Sequence, residues 1–238
     1  QRLNTNPMVD QRPVWPSDGT RLGFFSLRSG SGNIYTVPSD GSGSISTLGI
    51  DTVSDNEGST LNDWSSDDRY IIYQSRSDLW YRPVSNDATP VQLTDTPYDE
   101  ARAQLSPDDQ YVVYESNASG QMEIYVTPFP SGKGRWQISV NGGGSPRWNP
   151  KSNELFYLSG NEMMAVTVRT DTAFEASIPQ VLFQAEGTVA GSSRGGTNYD
   201  VSQDGRRFLM LQQVEEGRPG QPVITLIQNW ALQNRAPQ

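Results

Sequence analysis

Residues 123–157, Glu-Ile-Tyr-Val-Thr-Pro-Phe-Pro-Ser-Gly-Lys-Gly-Arg-Trp-Gln-Ile-Ser-Val-Asn-Gly-Gly-Gly-Ser-Pro-Arg-Trp-Asn-Pro-Lys-Ser-Asn-Glu-Leu-Phe-Tyr, carry the pattern that decides the fold. Two β-prone runs, Ile124 to Thr127 and Trp136 to Ser139, are separated by a Pro/Gly turn. After the glycines 142–144 the chain reaches Trp148, then the polar turn Asn149-Pro150-Lys151-Ser152, then an apolar run from Leu155 to Leu158. That is strand, turn, strand, loop, strand, turn, strand, with no room for a helix. Working outward, the same phrase recurs as Trp15-Pro16-Ser17-Asp18-Gly19, Trp64-Ser65-Ser66-Asp67-Asp68, Leu105-Ser106-Pro107-Asp108-Asp109 and Val201-Ser202-Gln203-Asp204-Gly205. The lead residues 15, 64, 105, 148 and 201 lie 49, 41, 43 and 53 residues apart. A period of roughly 40–50 residues with four short strands each is that of β-propeller blades.

Each repeat has three further strands after the one that ends on the lead residue. The first follow the turns: Leu22 to Phe25, Tyr70 to Tyr73, Tyr111 to Tyr114, Leu155 to Leu158 and Phe208 to Leu211. Next come Ile34 to Val37, Leu79 to Val84, Ile124 to Thr127, Met163 to Val168 and Val223 to Ile227. The outermost are Ile45 to Leu48, Val91 to Thr94, Trp136 to Ser139 and Val181 to Gln184. The fifth repeat lacks an outermost strand, and the N-terminus offers one. Leu3 stands 12 residues before Trp15, as Leu93 stands 12 before Leu105, and Arg12 then matches Arg102. The expected fold is therefore all-β: one domain over residues 1–238, a five-bladed β-propeller with four-stranded antiparallel blades. The blades are expected near 13–50, 59–97, 101–142, 145–186 and 197–230, the last closed by the N-terminal strand 2–6. Closure of this kind removes sheet edges that would otherwise pair with other chains.

Composition narrows function mainly by exclusion. The 238 residues contain no Cys and no His. Disulfides, thiolate nucleophiles, Ser-His-Asp triads and His-ligated metals are all excluded. The net charge of −9 and pI near 4.5 argue against nucleic acid and anionic membranes as partners. No apolar run approaches the roughly 20 residues of a membrane span. A first residue of Gln1 in place of Met fits a processed or trimmed product. The Gly-rich stretches at 29–32, 41–43, 142–144 and 191–196 lack the phosphate-loop pattern.

The W-x-P-D-G phrase followed by an Ile-Tyr-Val strand resembles the PD40 repeat of TolB-like, WD40-like propellers over residues 1–230. The stretch 123–157 and the ending Val223-Ile224-Thr225-Leu226-Ile227-Gln228-Asn229-Trp230 are similar to the C-terminal propeller of bacterial proteins that often carry a Ser/Thr kinase or DNA-binding domain. No kinase motif is present in this sequence. Lys151 in place of the motif Asp, and the swapped order Pro16-Ser17, depart from the pattern at turns. The resemblance implies a bacterial protein of the periplasm or the extracellular space, a protein- or peptide-binding scaffold with no shared catalytic residue.

The repeated Asp18, Asp67, Asp108 and Asp204 could form a metal ring, but Asp beside Gly or Asp in a tight turn bonds its own backbone. Turn chemistry is the expectation. Trp15, Trp64 and Trp148 are expected between blades, with Tyr35, Trp80 and Tyr125, and not as a sugar platform. The loops entering each innermost strand share one channel mouth with the loops between the second and third strands. They supply the candidate binding rim: Asp10, Arg12, Glu57, Tyr98, Asp99, Glu100, Arg102, Arg147 and Arg194. Arginine forks there suit carboxylates and peptide backbone, and a rim of mutual ion pairs is the plainer alternative. Oxygens at the mouth could hold Ca²⁺, though no EF-hand loop is present; no cofactor is otherwise expected. The expectation is a non-enzymatic binding module of unknown oligomeric state. Two other readings are a carboxylate-based glycan-active enzyme, pairing Asp99 or Glu100 with Glu57 or Asp10, and a structural subunit of a larger surface assembly.

Overall fold

The computed structural model describes residues 6–30, 32–48, 59–85, 88–170, 173–187, 199–213 and 222–228, the backbone alone for 212–213 and 222–228. The described residues contain no helix, and so no helix long and apolar enough to cross a membrane. Their strands form five antiparallel sheets in chain order. The first holds β1 (Asp10–Val14), β2 (Arg21–Ser26), β3 (Asn33–Pro38) and β4 (Ser46–Thr47). The second holds β5 (Thr60–Trp64), β6 (Tyr70–Ser75), β7 (Asp78–Pro83) and β8 (Val91–Gln92). The third holds β9 (Glu100–Leu105), β10 (Tyr111–Ser116), β11 (Glu123–Pro128) and β12 (Trp136–Gln137). The fourth holds β13 (Gly144–Trp148), β14 (Glu154–Ser159), β15 (Glu162–Arg169), β16 (Glu175–Ala176) and β17 (Gln180–Gln184). The fifth holds β18 (Tyr199–Val201), β19 (Arg207–Gln213) and β20 (Pro222–Gln228).

Both faces of the middle strands in the second, third and fourth sheets are apolar because each of these sheets is sandwiched between neighbours. In β10, Val112 and Tyr114 pack with Leu105 against Ile72, Leu79 and Leu93 of the second sheet. Val113, on the other face, packs with Ile124 and Val126 against Trp148, Leu155 and Val166 of the fourth. The alternation of one strand thus fills two interfaces. Ile34 with Leu61 and Trp64 joins the first and second sheets, and Phe156 with Phe208 and Met210 joins the fourth and fifth. Each such side chain contributes about 1.5–3 kcal/mol on burial. The inner strands β1, β5, β9, β13 and β18 lie in contact, each beside the next.

The repeated turn explains why each lead residue ends a strand. In the third sheet the Ser106 hydroxyl donates to Asp108 and accepts the Tyr111 N–H (3.0 Å), and Asp108 accepts the Gln110 N–H (3.2 Å). Asp67 and Asp204 repeat the arrangement, and Asp18 holds the Thr20 N–H at 2.9 Å. These aspartates are turn residues. The acid that follows them acts between sheets: Asp68 accepts the Ser17 N–H at 2.9 Å, and Asp109 the Ser66 N–H at 2.8 Å. In the fifth turn that place belongs to Gly205, where a Cβ would lie 2.1 Å from Asn149 Oδ1. Only a residue without a side chain fits there.

Three sequence expectations change. Trp15 is 54% exposed, unlike the buried Trp64 and Trp148, because among the described residues β1 has packing partners on the second-sheet side only. The outermost strands of the first three sheets are two-residue pairings. The next residues, Leu93 and Ile138, are buried, and their N–H groups still bond Leu79 O (2.8 Å) and Ile124 O (2.7 Å), while the Leu79 and Ile124 N–H groups turn to the Thr94 and Ser139 hydroxyls. The fourth sheet has an extra strand, because the eight-residue β15 pairs with β17 along its first half and β16 at its end. Of the N-terminal segment 2–6 read as a closing strand, residues 2–5 lie outside the described residues. Asn6 is not in a strand, and its side chain accepts the Met8 N–H at 2.8 Å. The described part of the fifth sheet is the three-stranded β18–β19–β20.

Candidate functional site

The candidate site is built by the inner strands. The lead residues Trp64, Leu105 and Trp148 point into the interfaces between sheets, so the residue before each points the opposite way. Those residues stitch one inner strand to the next. Asp63 Oδ2 accepts the Leu105 N–H at 2.8 Å, and Gln104 Oε1 accepts the Trp148 N–H at 2.8 Å. Arg147 Nε lies 3.9 Å from Asp200 Oδ1. Burial pushes the Asp63 carboxyl up to about 6, against hydrogen bonds from the Leu105 and Trp64 N–H groups and the charge of Arg147.

A β-bulge interrupts the inner strand of four sheets, at Gln11/Val14, Leu61/Asp63, Ala101/Gln104 and Gly144/Arg147. The extra residue turns its side chain out of the ladder. In three sheets it takes the left-handed region: Arg12 at φ 53°, Arg102 at φ 52° and Ser145 at φ 56°. The matching of Arg12 with Arg102 in the sequence is a structural equivalence. Glu115, on β10, is the hub of this level. It is buried, pairs with the Arg102 guanidinium and accepts the Ser145 N–H. Burial pulls the Arg12 guanidinium down to about 10, with Arg102 adding to the fall and Glu115 opposing it. Arg12 and Arg102 thus act on one another electrostatically although β5 stands between β1 and β9. Burial also raises the Tyr199 hydroxyl pKa, with Glu115 and Asp200 adding to the rise and Arg147 opposing it.

Loops entering the first, third and fourth inner strands are tied to loops between second and third strands beside them. The Leu27 N–H donates to Val9 O (3.2 Å), Glu100 N–H to Ser77 O (2.7 Å) and Gly143 N–H to Met122 O (3.0 Å). Asp10 is exposed and pairs with Arg28 at 3.0 Å. Asp99 accepts from the Ser77 hydroxyl (2.7 Å) and the Asn117 amide (3.0 Å), joining three loops. Tyr98 is exposed, its N–H bonded to Thr96 Oγ1 at 3.2 Å. Glu100 is a correction to its place in a loop rim: it opens β9 and is fully buried. Its Oε1 accepts from Thr96 and Ser116, and its pKa is raised by burial above all. Arg12, Arg102 and Arg147 likewise belong to inner strands and not to loops. Glu57 and Arg194 lie outside the described residues. Glu115, Asp63, Gln104, Ser145, Tyr199 and Asp200 escape a loop-centred reading of the sequence. Positions one before each lead residue, and Ser145 three before Trp148, could have been read from the repeat; Glu115 has no such signal. Among the described residues, no group of three or more Asp or Glu could hold a metal ion.

Antiparallel sheets stacked face to face with their first strands gathered at one edge define a β-propeller. Solved structures bear this out. TolB from Acinetobacter baumannii matches 95% of this chain at 14% identity and a TM-score of 0.70, with 53% of that protein covered. An oligogalacturonate lyase in complex with manganese matches 95% at 12% identity and a TM-score of 0.64, with 67% covered. The β-propeller domain of Cps50 (Swd1) from Myceliophteria thermophila matches 92% at 8% identity and a TM-score of 0.58, with 70% covered. The chain spans about half the length of the Acinetobacter TolB. The fold is that of TolB-like and WD40-like propellers. No family profile and no curated protein matches the sequence.

Proposed function

We propose that this chain is a non-catalytic module that receives a protein or peptide segment at the mouth of its central channel. In this reading residues 1–238 are one domain of five blades, the last completed by residues 2–6. The protein works in the bacterial periplasm or outside the cell. The carrying observation is the ion pair of Arg102 with the buried Glu115 on the inner side of the sheets, with Arg12 close enough for both charges to act on it. Guanidinium forks beside a fixed carboxylate give directional donors and acceptors for backbone and acidic groups. The rigid sheets beneath hold these groups in place without an ordering cost at binding. TolB among the matched structures is in keeping with a binding role.

A glycan-active enzyme would need two carboxylates about 5–9.5 Å apart and open to substrate. Asp10 and Asp99 are engaged with Arg28, Ser77 and Asn117, and Glu100 is buried, so the described acids of that pairing serve the scaffold. The experiment is affinity capture from bacterial envelope extract, with affinities measured for the wild type and Arg102→Ala. A captured partner bound at least about ten-fold more weakly by the variant supports the reading. Turnover of a glycan or peptide panel that Asp99→Asn abolishes would replace it. For ring closure, hydrogen exchange at 222–228 should quicken when residues 1–6 are removed; unchanged exchange would refute that part.

A further inference from the structure

At the end of the sheets opposite the channel mouth, the turns after the lead residues are stitched to one another. The residue two past a lead donates to the acid four past the next lead: Ser17 N–H to Asp68 (2.9 Å), and Ser66 N–H (2.8 Å) and hydroxyl (2.7 Å) to Asp109. The junction of the third and fourth sheets lacks both halves of this bond. Pro107 stands at the donor place with neither N–H nor hydroxyl. Ser152 stands at the acceptor place, with its own hydroxyl donating to Glu154 Oε2 at 2.9 Å. The fourth turn also differs in its backbone. Gly19, Asp68, Asp109 and Gly205 take left-handed φ and donate their N–H groups back across the turn, and Ser152 does neither. Where the stitch is missing there is a cleft of about 70 Å³. Pro107, Tyr111, Trp148 and Val168 give it apolar walls, and Asp108, Ser152 and Thr170 add polar groups.

Trp148 brings a donor that the fold leaves unused. Trp64 Nε1 donates to Asp68 O at 3.4 Å, whereas Trp148 Nε1 is buried without a partner beside the counterpart turn that holds Ser152. Native proteins keep few such orphans. Asp108 is exposed, and its bonds from the Ser106 hydroxyl and the Gln110 N–H both fall on Oδ1. A cleft of this size takes one small side chain and not a drug-sized ligand. Aromatic and proline walls with an indole donor suit a proline ring with a carbonyl beside it, in an extended segment that has little entropy to lose. The exposed Asp108 carboxylate, on a chain of net charge −9, favours a basic neighbour to that proline.

We propose that this cleft between the third and fourth sheets is a second peptide site, which takes a proline flanked by a basic residue. It lies at the opposite end of the sheets from the mouth, so its failure and that of the binding-module reading above are separate. The probe is the acetylated and amidated tetrapeptide Arg-Pro-Pro-Arg, with Arg-Gly-Gly-Arg and Glu-Pro-Pro-Glu as controls. Binding to the whole chain is read by NMR from the indole N–H resonance of Trp148, assigned by its loss in Trp148→Phe. The expected result is a saturable shift with Arg-Pro-Pro-Arg and a Kd about ten-fold or more weaker for each control. Asp108→Asn keeps the turn acceptor and should raise the Kd about two- to five-fold. Thr170→Phe sets a ring in the cleft and should abolish the shift. The other indole resonances should stay in place in both variants, which shows that the fold is kept. No saturable shift with Arg-Pro-Pro-Arg, equal affinity for either control, or undiminished binding by Asp108→Asn or Thr170→Phe would overturn the proposal.

Discussion

Replacing Asp63 with Asn isolates the cost of keeping a carboxylate at the inner edge. Asp63 is half-buried by area, and its carboxyl sits between β5 and β9 with a pKa raised from 3.8 to about 6, chiefly by burial. The folded protein therefore binds this proton more tightly than the unfolded chain. Below about pH 4 both states hold the proton and the group is neutral to stability. As pH rises from about 4 to 6 the unfolded chain releases it first, so stability falls across that window and stays lower above it. The gap from 3.8 to about 6, at about 1.36 kcal/mol per pKa unit, gives about 3 kcal/mol for a fully desolvated group. Solvent reaching a half-buried side chain screens this to about 1–2 kcal/mol. Asn retains an acceptor for the Leu105 N–H and does not titrate. The assay is urea unfolding of wild type and Asp63→Asn at pH 4, 5, 6 and 7. The stability difference, variant minus wild type, should grow by about 1–2 kcal/mol in favour of the variant between pH 4 and 7. A difference changing by less than about 0.5 kcal/mol would refute the placement of a desolvated carboxylate there.

Three further perturbations probe the scaffold. Glu115→Ala takes the buried carboxylate from the half-buried Arg102 and the Ser145 N–H and should cost about 3 kcal/mol, read by thermal unfolding. Trp64→Ala should cost about 3–5 kcal/mol and Trp15→Ala under about 1, since only Trp64 is buried; equal losses in denaturant titrations would contradict that contrast. Gly205→Ala places a Cβ 2.1 Å from Asn149 Oδ1 at φ +68° and should cost about 2 kcal/mol or more. Adding Asn149→Ala should return the collision part, and failure to do so would mean backbone strain alone is responsible.

Much of the fold was legible because its signals are local. Turn residues, the spacing of lead residues and runs such as Tyr111-Val112-Val113-Tyr114 depend on a few neighbouring positions, and the observed register of β10 with β11 follows from them. The exposure of Trp15 was not legible, since it depends on what lies beside β1 and not on the motif containing it. The short outer strands were also missed. Apolar residues such as Ile138 suggest a longer strand; Ile138 still donates its N–H to Ile124 O, but the Ile124 N–H is taken by the Ser139 hydroxyl in place of a backbone carbonyl, and the ladder stops there. Glu100 reads as a rim acid beside Asp99, yet one step along the chain reverses its direction and puts it inside the sheet.

The sequence by itself determined an all-β repeat with turn aspartates, and the absence of Cys and His removed whole classes of chemistry. Those are matters of residue type and spacing, which the linear chain contains in full. The site was decided by tertiary structure. Arg12 and Arg102 are 90 residues apart, and Glu115 lies on a different strand from either. Arg102 and Glu115 meet, and Arg12 comes within range of their charges, because stacking has gathered the inner strands at one edge. Long-range packing and burial set which charges meet and how strongly they act, and neither quantity exists in an unfolded chain.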